Sequence, residues 1–401
     1  METVEQVLDS LSNLVWGWPL LVLLVGTHLY LTVRLRVIQR YLGTAIRLSF
    51  QRTAEGEGDV SHFGALTTAL AATIGTGNIV GVATAVAAGG PMYALERGLH
   101  MRWLGVVFAA LTAIAAFGIG NMVQANSISA MVFETFGVSP WITGPVMTAC
   151  TAVVILGGIK SIANVCEKLV PFMAVFYIVG CTILLVMHAA AIPETVRLIV
   201  STAFTGQAAV GGFVGAGARE AIRYGVARGL FSNESGLGSA PIVAAAAQTK
   251  TSVRQALVSS TGTFWDTVVV CAMTGLVLVN SGEWTNGLTG AALTKAAFGD
   301  LPVVGPVVLT VGLLTFVFST ILGWSYYGEK AAEYLFGVGV IMPYRVLWVA
   351  AVMVGSVVSL PAVWSFADIA NGFMAIPNLF SLIALSGVIV AETREHLWDQ
   401  A

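Results

Sequence analysis

Ala71-Ala-Thr-Ile-Gly-Thr-Gly-Asn-Ile-Val80 puts two glycines and a polar pair in the middle of an apolar run from Phe63 to Ala88. Hydrocarbon offers peptide groups no partner. A helix that frays at Gly75–Asn78 therefore strands N–H and C=O groups at a cost of several kcal/mol each, unless a cavity, an ion or a ligand satisfies them. Taken alone, the stretch reads equally well as a kinked structural helix, because glycine is common in membrane helices. A second stretch, Gly229-Leu-Phe-Ser-Asn-Glu-Ser-Gly-Leu-Gly-Ser-Ala-Pro241, interrupts the apolar segment Val210–Ala247 in the same way. Paired interruptions in two halves of a membrane chain point to a transporter's central site.

The composition sets the solvent. Of 401 residues 57% are hydrophobic and only 10% charged, with 44 glycines, which excludes a soluble globular chain and reads as an all-α polytopic membrane protein. A formal net charge of -2 carries no basic excess, so no nucleic-acid partner is expected. Cys150, Cys166, Cys181 and Cys271 lie in or beside apolar runs without metal-ligand spacing and read as small core residues, with neither zinc nor disulfides indicated.

The first run, Val15–Val33, is too long for a signal-peptide core and exits through Arg34, Arg36 and Arg40, so it reads as a retained helix with a cytoplasmic end. Gly89-Gly-Pro91 ends the first broken run, and Met92–Arg102 reads as a short surface helix. Trp103–Ala130 follows, then Thr143–Gly158 and Val170–Met187, separated by a loop holding Lys160 and Lys168; Ile192–Phe204 reads as interfacial. Beyond Val210–Ala247 come Leu257–Val279 with Trp265 and Asp266, the connector Leu288–Phe298, and the spans Val303–Phe336, Val346–Leu360 and Phe366–Val390.

Charge placement exposes a conflict of one crossing. Lys160/Lys168, Lys250/Arg254, Lys330/Arg345 and Arg394 fit one alternation as inside turns, and counting back puts Met92–Arg102 inside as well. Counting forward from the arginines after Val33, a single crossing at Phe63–Ala88 delivers it outside. Either that run re-enters at its glycines or a spanning helix is absent after it.

Gly75-Thr-Gly-Asn-Ile-Val-Gly-Val-Ala-Thr-Ala85, Gly120-Asn-Met-Val-Gln-Ala-Asn-Ser127, Gly229–Pro241 and Leu322-Gly-Trp-Ser-Tyr-Tyr-Gly-Glu-Lys330 together resemble the alanine/glycine:cation symporter family of amino acid carriers, over about Val15 to Val390. The resemblance implies a leucine-transporter-type inverted-repeat core with two broken helices plus an extra N-terminal helix, about ten membrane segments in a single transmembrane domain, 1–401. On that template the extra helix is 15–33, the first repeat, incomplete, is 63–190, and the second is 210–392. One departure stands out. Family members run from Gly-Gly-Pro through a complete second core helix to a second Gly-Pro-Met-Tyr-like string, whereas Gly89-Gly-Pro-Met-Tyr93 fuses the two and omits that helix, where the charge count comes up one crossing short.

By the same resemblance Thr76, Gly77, Asn78, Gln124, Phe231, Asn233 and Trp324 would bind substrate. Carbonyls of Ala72, Ile74 and Gly77 with the hydroxyls of Ser319 and Thr320 would hold sodium, the coupling ion, with no other cofactor. Each assignment has a plainer competitor: an interhelical tie for Gln124, packing for the aromatics, and a bond to the helix's own carbonyl for Ser319 and Thr320. Asp266 and Glu234 are costly in hydrocarbon, and pairing with Arg219, Arg223 or Arg228 is the default expectation for Glu234.

The expected function is secondary active symport of a small neutral amino acid, alanine or glycine, with sodium or a proton. A multi-pass monomer in the cytoplasmic (inner) membrane bilayer is expected. The alternative is a transport-deficient paralogue or membrane sensor owing to the missing helix. An enzyme is not expected: a serine hydrolase built on Ser235 lacks a base, since His28, His62 and His188 sit toward segment ends. A nucleotide-binding loop at Gly75–Gly81 fails on glycine spacing and on the lack of strand–helix–strand context.

Overall fold

The structure, a computed structural model, describes residues 2–50, 59–73, 91–203, 225–226, 229, 232–288, 290–299, 301, 304–358 and 361–399. Among them the regular elements are helices, in order α1 Glu2–Val15, α2 Trp18–Arg34, α3 Leu42–Ser49, α4 His62–Thr73 and α5 Arg102–Phe136. Then come α6 Pro140–Ile155, α7 Gly158–Met187, α8 Ile192–Ala203, α9 Ser252–Asn280 and α10 Gly290–Phe298. The chain closes with α11 Val304–Phe336, α12 Ile341–Val357, α13 Pro361–Ala384 and α14 Ser386–Thr393.

Local chemistry sets the helix ends. Ser139 accepts the Trp141 N–H at 3.3 Å ahead of Pro140, which starts α6, and Thr251 accepts the Arg254 N–H at 3.2 Å to start α9. Gly137, at φ +68°, takes the Phe133 carbonyl and stops α5.

Small side chains put α11 at the centre. Gly305, Gly312, Ser319 and Gly323 are buried along it, and α11 packs against α4, α5 and α7. In lipid this thin face is what lets backbones approach, because apolar side chains gain little by leaving one hydrocarbon for another. At Gly323 a Cβ would lie 2.6 Å from the Ala72 nitrogen, so α4 and α11 touch backbone to backbone. At Gly120 a Cβ would overlap the Trp324 side chain, which packs directly against the α5 backbone. Trp324, Tyr327, Phe108 and Trp348 are fully buried around this axis. Arg345 of α12 clamps Glu329 of α11 through two bonds, Nε–Oε2 2.6 Å and Nη2–Oε1 2.9 Å.

Six helices are long and apolar enough to cross a membrane among the described residues, and the pair Trp18–Arg34/Ile38–Ser49, bent by 68°, makes a seventh if counted as one span. This is fewer than the ten expected, because α4 and α6 are apolar but short and much of 63–88 and 210–247 lies outside the described residues. The structure refines three sequence readings. Lys160 and Lys168 are not in a loop: α7 runs through them, its buried face recurring at Ile162, Cys166, Val170, Met173 and Tyr177 while both lysines stay exposed. Ahead of α5, Met92–Arg102 is helical only over Pro91–Gly98, with Arg97, Gly98, His100 and Arg102 exposed while Met92 and Leu95 are buried and Gly105 of α5 sits against the Met92 carbonyl; Glu96 accepts the Tyr334 hydroxyl at 2.6 Å. His28 lies within α2 rather than toward its end; it shares an apolar cavity with Ser235, and no hydrogen bond joins the two.

Candidate functional site

Helical geometry fails between Asn233 and Ala240. Glu234 adopts φ +50°, followed by Gly236 at +82° and Gly238 at +87°. A left-handed glutamate costs on the order of 1–3 kcal/mol and persists only where its surroundings hold it. They do so with specific bonds. Asn233 Oδ1 accepts the Ser235 N–H at 2.9 Å, and Asn378 Nδ2 of α13 donates to the Gly236 carbonyl at 2.8 Å. The Ser239 hydroxyl donates to Glu234 Oε2. Glu234 is 1% exposed, its Oε1 has no hydrogen bond, and the Trp324 indole stands beside the same carboxylate. The arginines expected to pair with Glu234, the first interruption with Ile74, Thr76, Gly77 and Asn78, and Phe231 all lie outside the described residues.

A cavity of about 340 Å³ opens between the C-terminal end of α4, the middle of α5, the middle of α9 and the centre of α11, with Tyr177 of α7, Thr294 of α10 and Ser232 of the interrupted segment completing its wall. Two of its walls are π-helical, Ala116–Met122 in α5 and Phe264–Cys271 in α9. A π turn leaves a carbonyl without its usual partner, which is why such turns gather at functional sites. Here the freed Ile119 carbonyl accepts Gln124 Nε2 at 2.8 Å.

Of the residues expected from sequence, Ala72, Gln124, Ser319, Thr320 and Trp324 line this cavity. Asn233 does not line it. It is buried beside it, donating to Thr267 Oγ1 at 3.1 Å while capping the break. Ser319 Oγ donates to the Phe316 carbonyl at 2.7 Å and stands 3.3 Å from the Ala71 carbonyl, one residue before the expected Ala72. Thr320 Oγ1 likewise donates to Phe316 at 3.0 Å. The own-helix bonds weighed from sequence are thus present. They do not use up the oxygens: a hydroxyl that donates backwards keeps its lone pairs for a cation. Sequence reading did not place Tyr177, Ser232, Asp266 and Thr294 on the cavity wall. For Asp266 the signal was there, an acid inside an apolar run.

A second cavity of about 400 Å³ lies between α2, α3, α9 and α13, walled by Leu24, Leu31, Leu257, Phe264 and Leu382. It is larger and more apolar, with Thr27, His28, Gln39 and Ser260 among its polar groups, and among the described residues it carries none of those expected to bind substrate or sodium. The smaller cavity is the one that gathers the expected residues.

The family model described as the sodium:alanine symporter family matches residues 1–91 and 87–401. The chain belongs to that family. Among relatives, the sodium/alanine symporter AgcS of Methanococcus maripaludis is 48% identical, over 96% of this chain and 96% of its own length. An uncharacterized transporter of Haemophilus influenzae is 46% identical over 98% and 96%, and the amino-acid carrier protein AlsT of Bacillus subtilis 31% over 96% and 91%. The two family matches overlap on Ala87–Pro91. The Haemophilus alignment spans 439 positions against 401 residues here, so at least 38 positions of that alignment have no counterpart in this chain. This family member is a multi-pass membrane protein with several apolar helices.

Proposed function

We propose that this protein is a secondary active symporter that moves a small neutral amino acid, alanine or glycine, together with sodium across the cytoplasmic membrane. The observation that carries the reading is the meeting of the Ser319 hydroxyl with the Ala71 carbonyl at the wall of a cavity that also holds Gln124 and Trp324. Two hard oxygens from different helices suit a monovalent cation, and a cation held there joins α4 to α11. The cavity's volume is at the small end of ligand sites, which suits a substrate with one methyl group or none. Family membership and the name of the AgcS relative support the same chemistry.

On this reading Thr76, Gly77, Asn78 and Phe231 complete the substrate site, with Ile74 and Gly77 adding carbonyls to the cation site. The architecture is of the leucine-transporter type, with a first repeat lacking its second core helix. The double match at Ala87–Pro91 and the unmatched positions support that omission.

The test is uptake of labelled alanine and glycine into proteoliposomes loaded without sodium and diluted into sodium, potassium or choline buffer. Accumulation in sodium alone, abolished by dissipating the gradient, is expected. Equal uptake in all three buffers, or none in sodium, would refute the proposal.

A further inference from the structure

We infer that the larger, apolar cavity between α2, α3, α9 and α13 is a lipid site: it seats an acyl chain of one anionic phospholipid, whose phosphate rests at the arginine-rich bend between α2 and α3. The lipid site stands apart from the symport reading, and only its coupling to the amino acid rests on that reading.

The cavity holds about 400 Å³, within the range of ligand sites. Its wall on α2 runs from Leu24 to Leu31, about 10 Å at the rise of an α-helix, and continues round the bend through Ile38 and Leu42. Val25, His28 and Val268 line it and are themselves exposed, which opens the cavity sideways to the bilayer. The solvent at hand there is acyl chain. An empty slot of this size would forfeit the dispersion contacts that a seated chain makes with Leu24, Leu31, Leu257 and Leu382. The Thr27 hydroxyl is the one buried polar side-chain atom of the wall without a hydrogen bond among the described residues, and it offers a lipid ester oxygen a donor.

Charge supplies the other half of the recognition. α2 ends at Arg34, the bend carries Arg36 and Arg40, and Arg47 follows on α3. All four are exposed, and no carboxylate pairs with any of them among the described residues. Three of them lean on aromatic groups instead. Arg34 Nη1 donates to the Tyr30 hydroxyl at 2.8 Å, Arg36 lies 4.5 Å over the Trp398 ring and Arg40 4.8 Å over the Tyr41 ring. Such contacts leave guanidinium N–H groups for phosphate oxygens. Gln39 and Tyr41, on either side of Arg40, belong to the cavity wall, so the charge stands at the cavity's edge. Arginines that no acid neutralises, beside an apolar slot, favour an anionic phospholipid over a zwitterionic one.

The lipid cavity shares two walls with the cavity that holds Gln124 and Trp324. Phe264 and Val268 of the π turn in α9 line the first, whereas Asp266 and Val270 of the same turn line the second. The interrupted segment likewise shows Ser235 and Gly236 to the first and Ser232 to the second. Gly236 is tightly held there: a Cβ on it would lie 2.9 Å from Leu24 Cδ2 of α2 and 3.2 Å from Leu379 Cδ2 of α13. An acyl chain between these helices therefore braces the left-handed turn at Glu234 from behind. Lipid and amino acid then each favour the other's binding, by the same factor.

The experiment titrates the purified full-length chain with phosphatidylglycerol or phosphatidylcholine and counts bound lipid by native mass spectrometry, for wild type, Arg40→Gln, Arg34→Gln/Arg40→Gln and Val25→Trp. One phosphatidylglycerol, bound about 25-fold more tightly than phosphatidylcholine, is expected in wild type, as two surface arginines imply. Each arginine lost should weaken phosphatidylglycerol by about fivefold. Val25→Trp, which puts an indole in the mouth of the cavity, should weaken both lipids. Equal affinity of wild type for the two lipids would overturn the inference. So would phosphatidylglycerol affinity unchanged in both the double arginine variant and Val25→Trp. If Val25→Trp does not fold, the exposed arginines carry the reading, with unchanged phosphatidylglycerol affinity in the double variant refuting it. Coupling is read as half-saturating alanine in nanodiscs, expected to be about fivefold lower in phosphatidylglycerol than in phosphatidylcholine for wild type and equal in both for Val25→Trp. Equal values in wild type would overturn the coupling. A chain that binds phosphatidylglycerol as expected but no alanine in either nanodisc would refute symport and leave the lipid site standing.

Discussion

Gly323→Ala tests the close contact on which the candidate cation site depends. The added Cβ would lie 2.6 Å from the Ala72 nitrogen, 2.7 Å from its Cβ and 2.8 Å from its Cα, and ordinary contact begins at 3.4 Å. The obstacle is backbone rather than a side-chain tip, so α4 and α11 must separate by about 0.8 Å, the difference between 3.4 and 2.6 Å. Ser319 lies one turn away on α11 and Ala71 beside Ala72, so the same displacement stretches their 3.3 Å approach to about 4.1 Å, beyond hydrogen-bond range. Overpacking of this kind costs about 1–3 kcal/mol in stability. Losing one neutral ligand interaction worth about 0.5–1.5 kcal/mol raises the sodium needed for half-maximal alanine binding by about 2- to 13-fold. The assay is sodium titration of labelled-alanine binding, with the melting point read by fluorescence-detected size exclusion. A variant with unchanged melting point and unchanged sodium dependence would refute the reasoning. A lowered melting point with normal sodium dependence would refute the site and keep the packing.

Glu329→Gln removes the charge opposite the nearly buried Arg345 and is expected to destabilise the protein by about 3–5 kcal/mol, whereas Glu329→Leu with Arg345→Met should recover most of the loss; a double variant no better than the single one in thermal melting would count against the pair. Arg97→Cys, in a background without other cysteines, should be labelled by a membrane-impermeant maleimide only after the cytoplasmic face is opened, as the count from the C-terminal half requires. Labelling of intact cells would instead favour the count from the N-terminal half and an unbroken crossing at 63–88.

The apolar runs, their order and the second interruption were legible in the sequence, because membrane solvent imposes one rule on every peptide group: bond within the segment or face a cavity. Asn233 shows where that rule stops. Its presence in an interruption was readable, but whether it faces substrate or caps the break depends on where Thr267 and Ser235 lie, which is a matter of packing. Lys160 and Lys168 misled for the opposite reason. Charge density reads as a loop along a one-dimensional chain, and only the exposed face of α7 reveals that long basic side chains ride a continuous helix.

The sequence by itself determined that this chain lives in a bilayer and that it is interrupted near Glu234, since composition and local backbone chemistry need no partner to act, and the likeness of its motifs to a known family placed it with amino acid carriers. The tertiary structure alone decided that Ser319 meets Ala71, that Trp324 lies on Gly120, and that Asp266 borders the same cavity as Gln124. Those contacts join residues far apart in the chain, and their distances follow from how closely glycine-faced helices can approach, a property of pairs of helices that no single stretch contains.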